Sequence, residues 1–148
     1  MKIVQVFENK KQYLALLLLA DEQEDMVDRY LERGDMFVLH DRGVKAECVV
    51  TKEGDGVYEL KNIAVTPGAQ RRGYGKALLA FIGSRYPDPK TLFVGTGDVP
   101  GSLGFYQACG FALSHRVKNF FTDHYDHPIY EDGRQLVDMV YLKKETKP

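Results

Sequence analysis

Ile63-Ala64-Val65-Thr66-Pro67-Gly68-Ala69-Gln70-Arg71-Arg72-Gly73-Tyr74-Gly75-Lys76-Ala77 ends one strand, turns through a short loop and opens a glycine-spaced helix. The first turn of a helix carries unpaired N–H groups and the positive end of the helix dipole, so it is a ready anion site. Gly73 and Gly75 let the backbone approach a bulky anion, while Arg71, Arg72 and Lys76 add positive charge around it. A pyrophosphate fits that description. Two commoner phosphate motifs fail here. A Walker loop needs Ser or Thr after Gly75-Lys76 and a glycine five places before Gly75, where Ala77 and Gln70 stand. A dinucleotide fingerprint needs a small residue at 78, where Leu78 stands.

Working outward, the strand that feeds this loop runs from Val57 to Val65 and is read as the centre of the molecule. Its alternation slips. Tyr58 and Leu60 share one face against Glu59 and Lys61, yet Asn62 then falls where an apolar residue is due, and Ile63 and Val65 take the other parity. That change points to a β-bulge, which re-aims side chains, or to a strand partly covered on both faces. Downstream, the pattern predicts a helix from about Gly73 to Tyr86, striped by Leu78, Leu79, Ile82 and Tyr86 and ended by Pro87 and Pro89. A short apolar strand Thr91–Thr96, a helix from about Ser102 to Cys109 closed by Gly110, and a strand from near Phe111 follow. Asp132-Gly133 is a hairpin signal, with a last strand over Leu136–Leu142. Upstream lie a strand Lys2–Phe7, a helix from Lys11 to about Asp21 and a polar-faced helix from Asp25 to Glu32 stopped by Gly34. Two strands, Met36–Leu39 and Ala46–Thr51, turn at Asp41-Arg42-Gly43. The order β-α-α-β-β-β-α-β-α-β-β predicts an α/β fold with a mixed, mostly antiparallel sheet flanked by helices, in a single domain over 1–148.

The totals narrow the function classes. With 148 residues, 44% hydrophobic and a net charge of −1, the chain supports one core and has no basic excess to neutralise a run of phosphates. A nucleic-acid binder is therefore disfavoured. The apolar run Tyr13–Ala20 is too short to cross a bilayer, and Asp21-Glu22 follows it in place of a cleavage site, so a cytoplasmic protein is expected. Cys48 and Cys109 make no metal spacing and read as free thiols of a reducing compartment.

Residues 58–111 resemble the central motif of the GNAT family of N-acetyltransferases. The resemblance rests on Gln70-Arg71-Arg72-Gly73-Tyr74-Gly75 directly after Ile63-Ala64-Val65-Thr66-Pro67, joined to Gly104-Phe105-Tyr106-Gln107-Ala108-Cys109-Gly110-Phe111. The run Phe120-Phe121 to Tyr125, Pro128-Ile129, Glu131 and Gly133 is similar to a subset of small bacterial members. The resemblance implies an acetyl-CoA-dependent transferase acting on a primary amine of a small molecule or peptide, with no nucleic-acid or membrane partner and a homodimer formed through the last strands. It implies that Ile63, Ala64 and Val65 line the pantetheine arm, that Gln70 to Lys76 hold the pyrophosphate through N–H groups, and that Phe105 and Tyr106 stand near the thioester. Asp98 or Ser102 would occupy the place of an asparagine that the family often carries.

Direct transfer needs a neutral amine, yet an alkyl amine with pKa near ~10 is only about one part in a thousand neutral at pH 7. A base or a water relay must take its proton. Glu59, on the central strand, is the candidate base, and an exposed strand carboxylate is the plainer reading. Tyr106 is the candidate acid for the departing thiolate, against a role as one more aromatic cover for the sheet. Cys109 lacks a histidine at partner spacing and reads as a helix-end thiol. His124 and His127 lack a third ligand, and a metal is not expected. Their loop, with Glu131 and Asp132, is read as a wall of the acceptor pocket or as an exposed acidic loop. The rival class is an acetyl-CoA-binding module that senses without turnover.

Overall fold

The computed structural model describes residues 1–147. Its main sheet has seven strands in the order β1-β2-β3-β4-β5-β9-β6, and β7-β8 form a separate two-stranded ribbon. The strands are β1 Lys2–Val6, β2 Asp35–His40, β3 Val44–Gly54, β4 Val57–Val65, β5 Lys90–Gly97, β6 Ala112–Val117, β7 Tyr130–Glu131, β8 Arg134–Gln135 and β9 Met139–Thr146. The helices are α1 Leu14–Ala20, entered through a 3-10 turn at Lys10–Tyr13, α2 Glu24–Val27, α3 Tyr74–Arg85, α4 Pro100–Ala108 and α5 Phe120–His124. In the main sheet every neighbouring pair is antiparallel except β4·β5, which is parallel. The expected mixed, mostly antiparallel α/β fold is what forms.

Two cores sit on opposite faces of the sheet. One joins Leu78, Leu79 and Ile82 of α3 and Tyr106 of α4 to Cys48, Val50, Tyr58, Leu60 and Val94. The other joins Leu17 of α1 and Val27, Tyr30 and Leu31 to Met36, Val38 and Val49. A third, smaller cluster of Val99, Phe121, Ile129 and Leu136 lies under α5 and the ribbon.

The parity slip in β4 is a bulge. Val49 of β3 pairs with Asn62 while the next residue, Val50, pairs with Leu60, so Lys61 is the extra residue. Tyr58 and Leu60 face α3, and Ile63 and Val65 pack against that same core. Asn62 instead reaches the opposite face, where its amide donates to Leu17 O of α1 at 3.0 Å.

Two expectations are corrected. The second helix is shorter than 25–32: α2 ends at Val27 and the chain continues as turns to Arg33. The buried Lys10 ammonium gathers the carbonyls of Leu31 and Gly34 at 2.9 and 2.7 Å, which holds that segment open. The last strand begins at Met139, not Leu136, because the Leu136 amide bonds Ile129 O at 2.8 Å and its side chain fills the third cluster. The hairpin at Asp132-Gly133 forms as β7-β8, set apart from the main sheet, and α5 precedes it where the sequence showed no helical stripe.

Candidate functional site

β4 and β5 pair only over Val57–Leu60 and Thr91–Val94, and then separate. Beyond that point β4 keeps its partner β3 and β5 keeps its partner β9, so each presents one backbone edge to the opening between them. Unpaired strand edges are strong sites for an extended, amide-bearing ligand. A cavity of about 390 Å³ fills the opening, walled by Leu60–Ile63 on one side and Val94–Gly97 on the other. Gly97 makes part of this space: a Cβ there would lie 2.7 Å from Leu136 and 3.1 Å from Glu131 Oε1. The connection from α1 to α2 adds Asp21 and Glu22 to the lining, α4 adds Ser102 and Tyr106, and the segment after α5 adds Tyr125, Ile129 and Glu131.

Beyond the end of β4 the chain turns into α3. Gly73 caps it at φ 86°, in the left-handed region that favours glycine, and no side chain caps the first turn. Gly75 brings α3 against α4, since a Cβ there would meet Phe105 Cζ at 3.4 Å and Val65 Cγ2 at 4.0 Å. Gln70, Arg71, Arg72 and Lys76 are exposed around this turn. The Tyr74 ring is buried in the α3 core and its hydroxyl donates to Asp41 Oδ2 at 2.7 Å, anchoring the turn to the β2–β3 connection. The turn therefore offers free N–H groups, three cationic side chains and a fixed backbone. Together with the open edge of β4, these features fit an extended, amide-bearing ligand that carries a pyrophosphate.

Of the other residues singled out, Ile63 lines the cavity, whereas Ala64 is buried on the opposite face beside its pairing partner Glu47. Val65 is half-buried against the α3 core. Tyr106 lines the cavity and is 8% exposed. Burial, and then the nearby Glu131 carboxylate, push its phenol well above the ordinary tyrosine range. No hydrogen bond from another described residue acts on that phenol. Its ring stands edge-on to Phe105 and Phe111, with centroids 5.2 and 5.7 Å away. Ser102 lines the cavity and donates to Glu131 Oε2. Asp98 is exposed and paired with Arg116 at 2.8 Å, away from the lining. Glu59 lies behind the wall, 3.0 Å from Lys61 Nζ and accepting from Tyr141 OH at 3.2 Å; Lys61, not Glu59, faces the cavity.

The acidic loop is half wall and half clasp. Tyr125 OH donates to Asp21 Oδ1 at 2.6 Å, the Asp126 amide donates to Gln23 Oε1 at 2.9 Å, and His127 meets Glu22 Oε1 at 2.9 Å and Asp126 Oδ1 at 2.6 Å. His124 stacks on Phe120 instead. Sequence reasoning passed over Asp21, Asn62 and Tyr30. Tyr30 OH accepts from Asn62 Nδ2 at 3.1 Å and donates to Asp21 Oδ2 at 2.8 Å, tying the α1–α2 connection, the turns after α2 and the bulge together. The one local signal was an acidic pair, Asp21-Glu22, directly after an apolar helix.

Comparison with known proteins agrees with this geometry. Residues 32–113 match the acetyltransferase (GNAT) domain model. The chain is 37% identical over 139 residues to the uncharacterized N-acetyltransferase YvbK of Bacillus subtilis, covering 91% of this chain and 90% of that protein. It is similar to a GNAT family acetyltransferase from Elizabethkingia anophelis solved with acetyl-CoA bound, with a TM-score of 0.90 and 32% identity over 98% of this chain and 97% of that one. A Bacillus subtilis acetyltransferase solved in complex with CoA superposes with a TM-score of 0.86 and 35% identity, over 98% of each chain.

Proposed function

The chain belongs to the GNAT family of acetyltransferases and takes acetyl from acetyl-CoA, and on that premise we propose that it acetylates a primary amine of a small molecule or peptide by direct transfer. The observation that carries this reading is the Tyr106 phenol on the wall of the cavity where β4 and β5 part. Two reactants held in one such site react as if one molecule. The amine nitrogen attacks the thioester carbonyl carbon, the C–N bond forms and the C–S bond breaks. The departing thiolate takes the Tyr106 proton, which the phenol recovers from the nitrogen it has helped to acylate or from water. A phenol pushed above its ordinary range stays protonated across physiological pH and so keeps a proton to give. Glu59 reaches the cavity only through its partner Lys61, so as a base it would act through a relay.

Because Glu59 does not line the cavity, Glu59→Gln is expected to cost less than about tenfold in kcat/KM, a smaller loss than a directly placed base gives. The free thiols Cys48 and Cys109 support a reducing, cytoplasmic setting, and the unpaired outer edge of β6 supports a homodimer through the last strands.

Thiol release from acetyl-CoA in the presence of a panel of primary alkylamines tests the reading. Tyr106→Phe is expected to lower kcat by about a hundredfold or more, the range for a general acid, with acetyl-CoA affinity unchanged. Binding of acetyl-CoA without turnover on any primary amine would leave a sensor module instead.

A further inference from the structure

Asp21, on the cavity wall, is a partly buried carboxylate that no cation of the described residues pairs with; burial raises its pKa, and the two phenols that bond it act the other way. Each of its oxygens accepts from a phenol, Tyr30 at 2.8 Å and Tyr125 at 2.6 Å, an arrangement suited to an ionised, acceptor-only carboxylate. No Lys, Arg or His forms an ion pair with it among the described residues. The charged groups that act on its carboxyl, Asp25 and Glu22, have the same sign, and Arg29, which acts on the adjoining Tyr125, forms no ion pair with it. Lys61, the cationic side chain on the lining, is engaged by Glu59. A partly desolvated anion without a counter-ion is costly and gains most from a cation that enters the site.

A second observation lies on the same wall. Asn62 lines the cavity at 3% exposure, and both hydrogens of its amide are taken, by Leu17 O and Tyr30 OH. Its Oδ1 has no partner. Tyr30 joins the two groups, accepting from Asn62 and donating to Asp21, so the unit fixes two acceptors and supplies no donor of its own to the cavity. A primary ammonium, with three donors and a positive charge, answers both. Leu19, Phe121, Ile129 and Met139 form the apolar part of the lining, beside Glu22, which meets His127, and Glu131, which accepts from Ser102. We propose that Asp21 and the Asn62 amide oxygen receive the ammonium group of the acceptor, and that the acceptor is a primary arylalkylamine or alkylamine whose apolar body lies on that wall. The proposal rests on the acetyl-transfer reading and adds the residues that choose the acceptor.

Phenethylammonium chloride and its neutral counterpart phenethyl alcohol, titrated into the CoA-loaded protein and followed by calorimetry, test it. The wild type is expected to bind the ammonium at least about tenfold more tightly than the alcohol, as a hydrogen-bonded charge pair warrants. Asp21→Asn should lose at least about tenfold in ammonium affinity, while Asp25→Asn, which removes a nearby charge outside the lining, should not. A smaller preference for the ammonium in the wild type overturns the proposal, whether or not the Asp21 variant folds, and so does a smaller loss in a folded Asp21→Asn protein. The CoA titration that precedes each run separates the two readings: a protein that binds CoA but ignores the ammonium overturns this inference alone, and one that fails to bind CoA overturns the acetyl-transfer reading.

Discussion

Glu47 is fully buried on β3, and neither of its carboxyl oxygens has a hydrogen-bond partner. Burial pushes its pKa well above the ordinary 4.5, so the folded protein holds a proton that the unfolded chain releases. Stability from this group is therefore full below pH 4.5 and is lost as pH rises through the raised folded value. Urea midpoints measured from pH 4 upward should fall for the wild type relative to Glu47→Gln, which has nothing to release; parallel curves would contradict the assignment. Nothing in the sequence marked this glutamate, because alternation along β3 says only which face a residue takes, not what covers that face. Tyr106 was legible for the opposite reason. Its neighbours Phe105, Gly110 and Phe111 form a local pattern, and the structure turns that pattern into a phenol on the cavity wall.

At the scale of elements, the start of α3 and the bulge of β4 were readable because both are written in consecutive residues. Gly73 at φ 86° is the conformational hinge of the first. A β-branched replacement, Gly73→Val, would be forced into the left-handed region at a cost of about 1–2 kcal/mol. It should weaken acetyl-CoA binding by about tenfold or more through the displaced N–H groups, and equal affinity in calorimetry would contradict the placement of the pyrophosphate. The clasp between the α1–α2 connection and the segment after α5 was not readable, since Tyr125 and Asp21 meet across 104 residues of chain. Its titrating group is His127. Hydrogen bonds first to Asp126 and then to Glu22 raise its pKa above the ordinary 6.5. The clasp's charge pairing is thus complete below pH 6.5 and is lost as pH rises through the raised value. Amide exchange at Asp126, corrected for its intrinsic pH dependence, should accelerate across that window in the wild type and show no such step in His127→Gln.

At the scale of the molecule, a sheet that separates between two parallel strands gives one chain two working edges and a cavity without any break in its hydrophobic cores. The element order was enough to expect the sheet, while the cavity depends on where two strands stop pairing and on two connections and helix α4, which converge there from distant parts of the chain. The free outer edge of β6 bears on assembly, and light scattering should give twice the 16.8 kDa chain mass; a single-chain mass at every concentration would remove the proposed homodimer. The most direct test of the central claim is calorimetric titration of the purified protein with acetyl-CoA, beside a variant in which Arg71, Arg72 and Gly73 are replaced together. The wild type is expected to bind with a dissociation constant on the order of micromolar, and the folded variant to lose binding. A folded wild-type protein that binds no acetyl-CoA would contradict it.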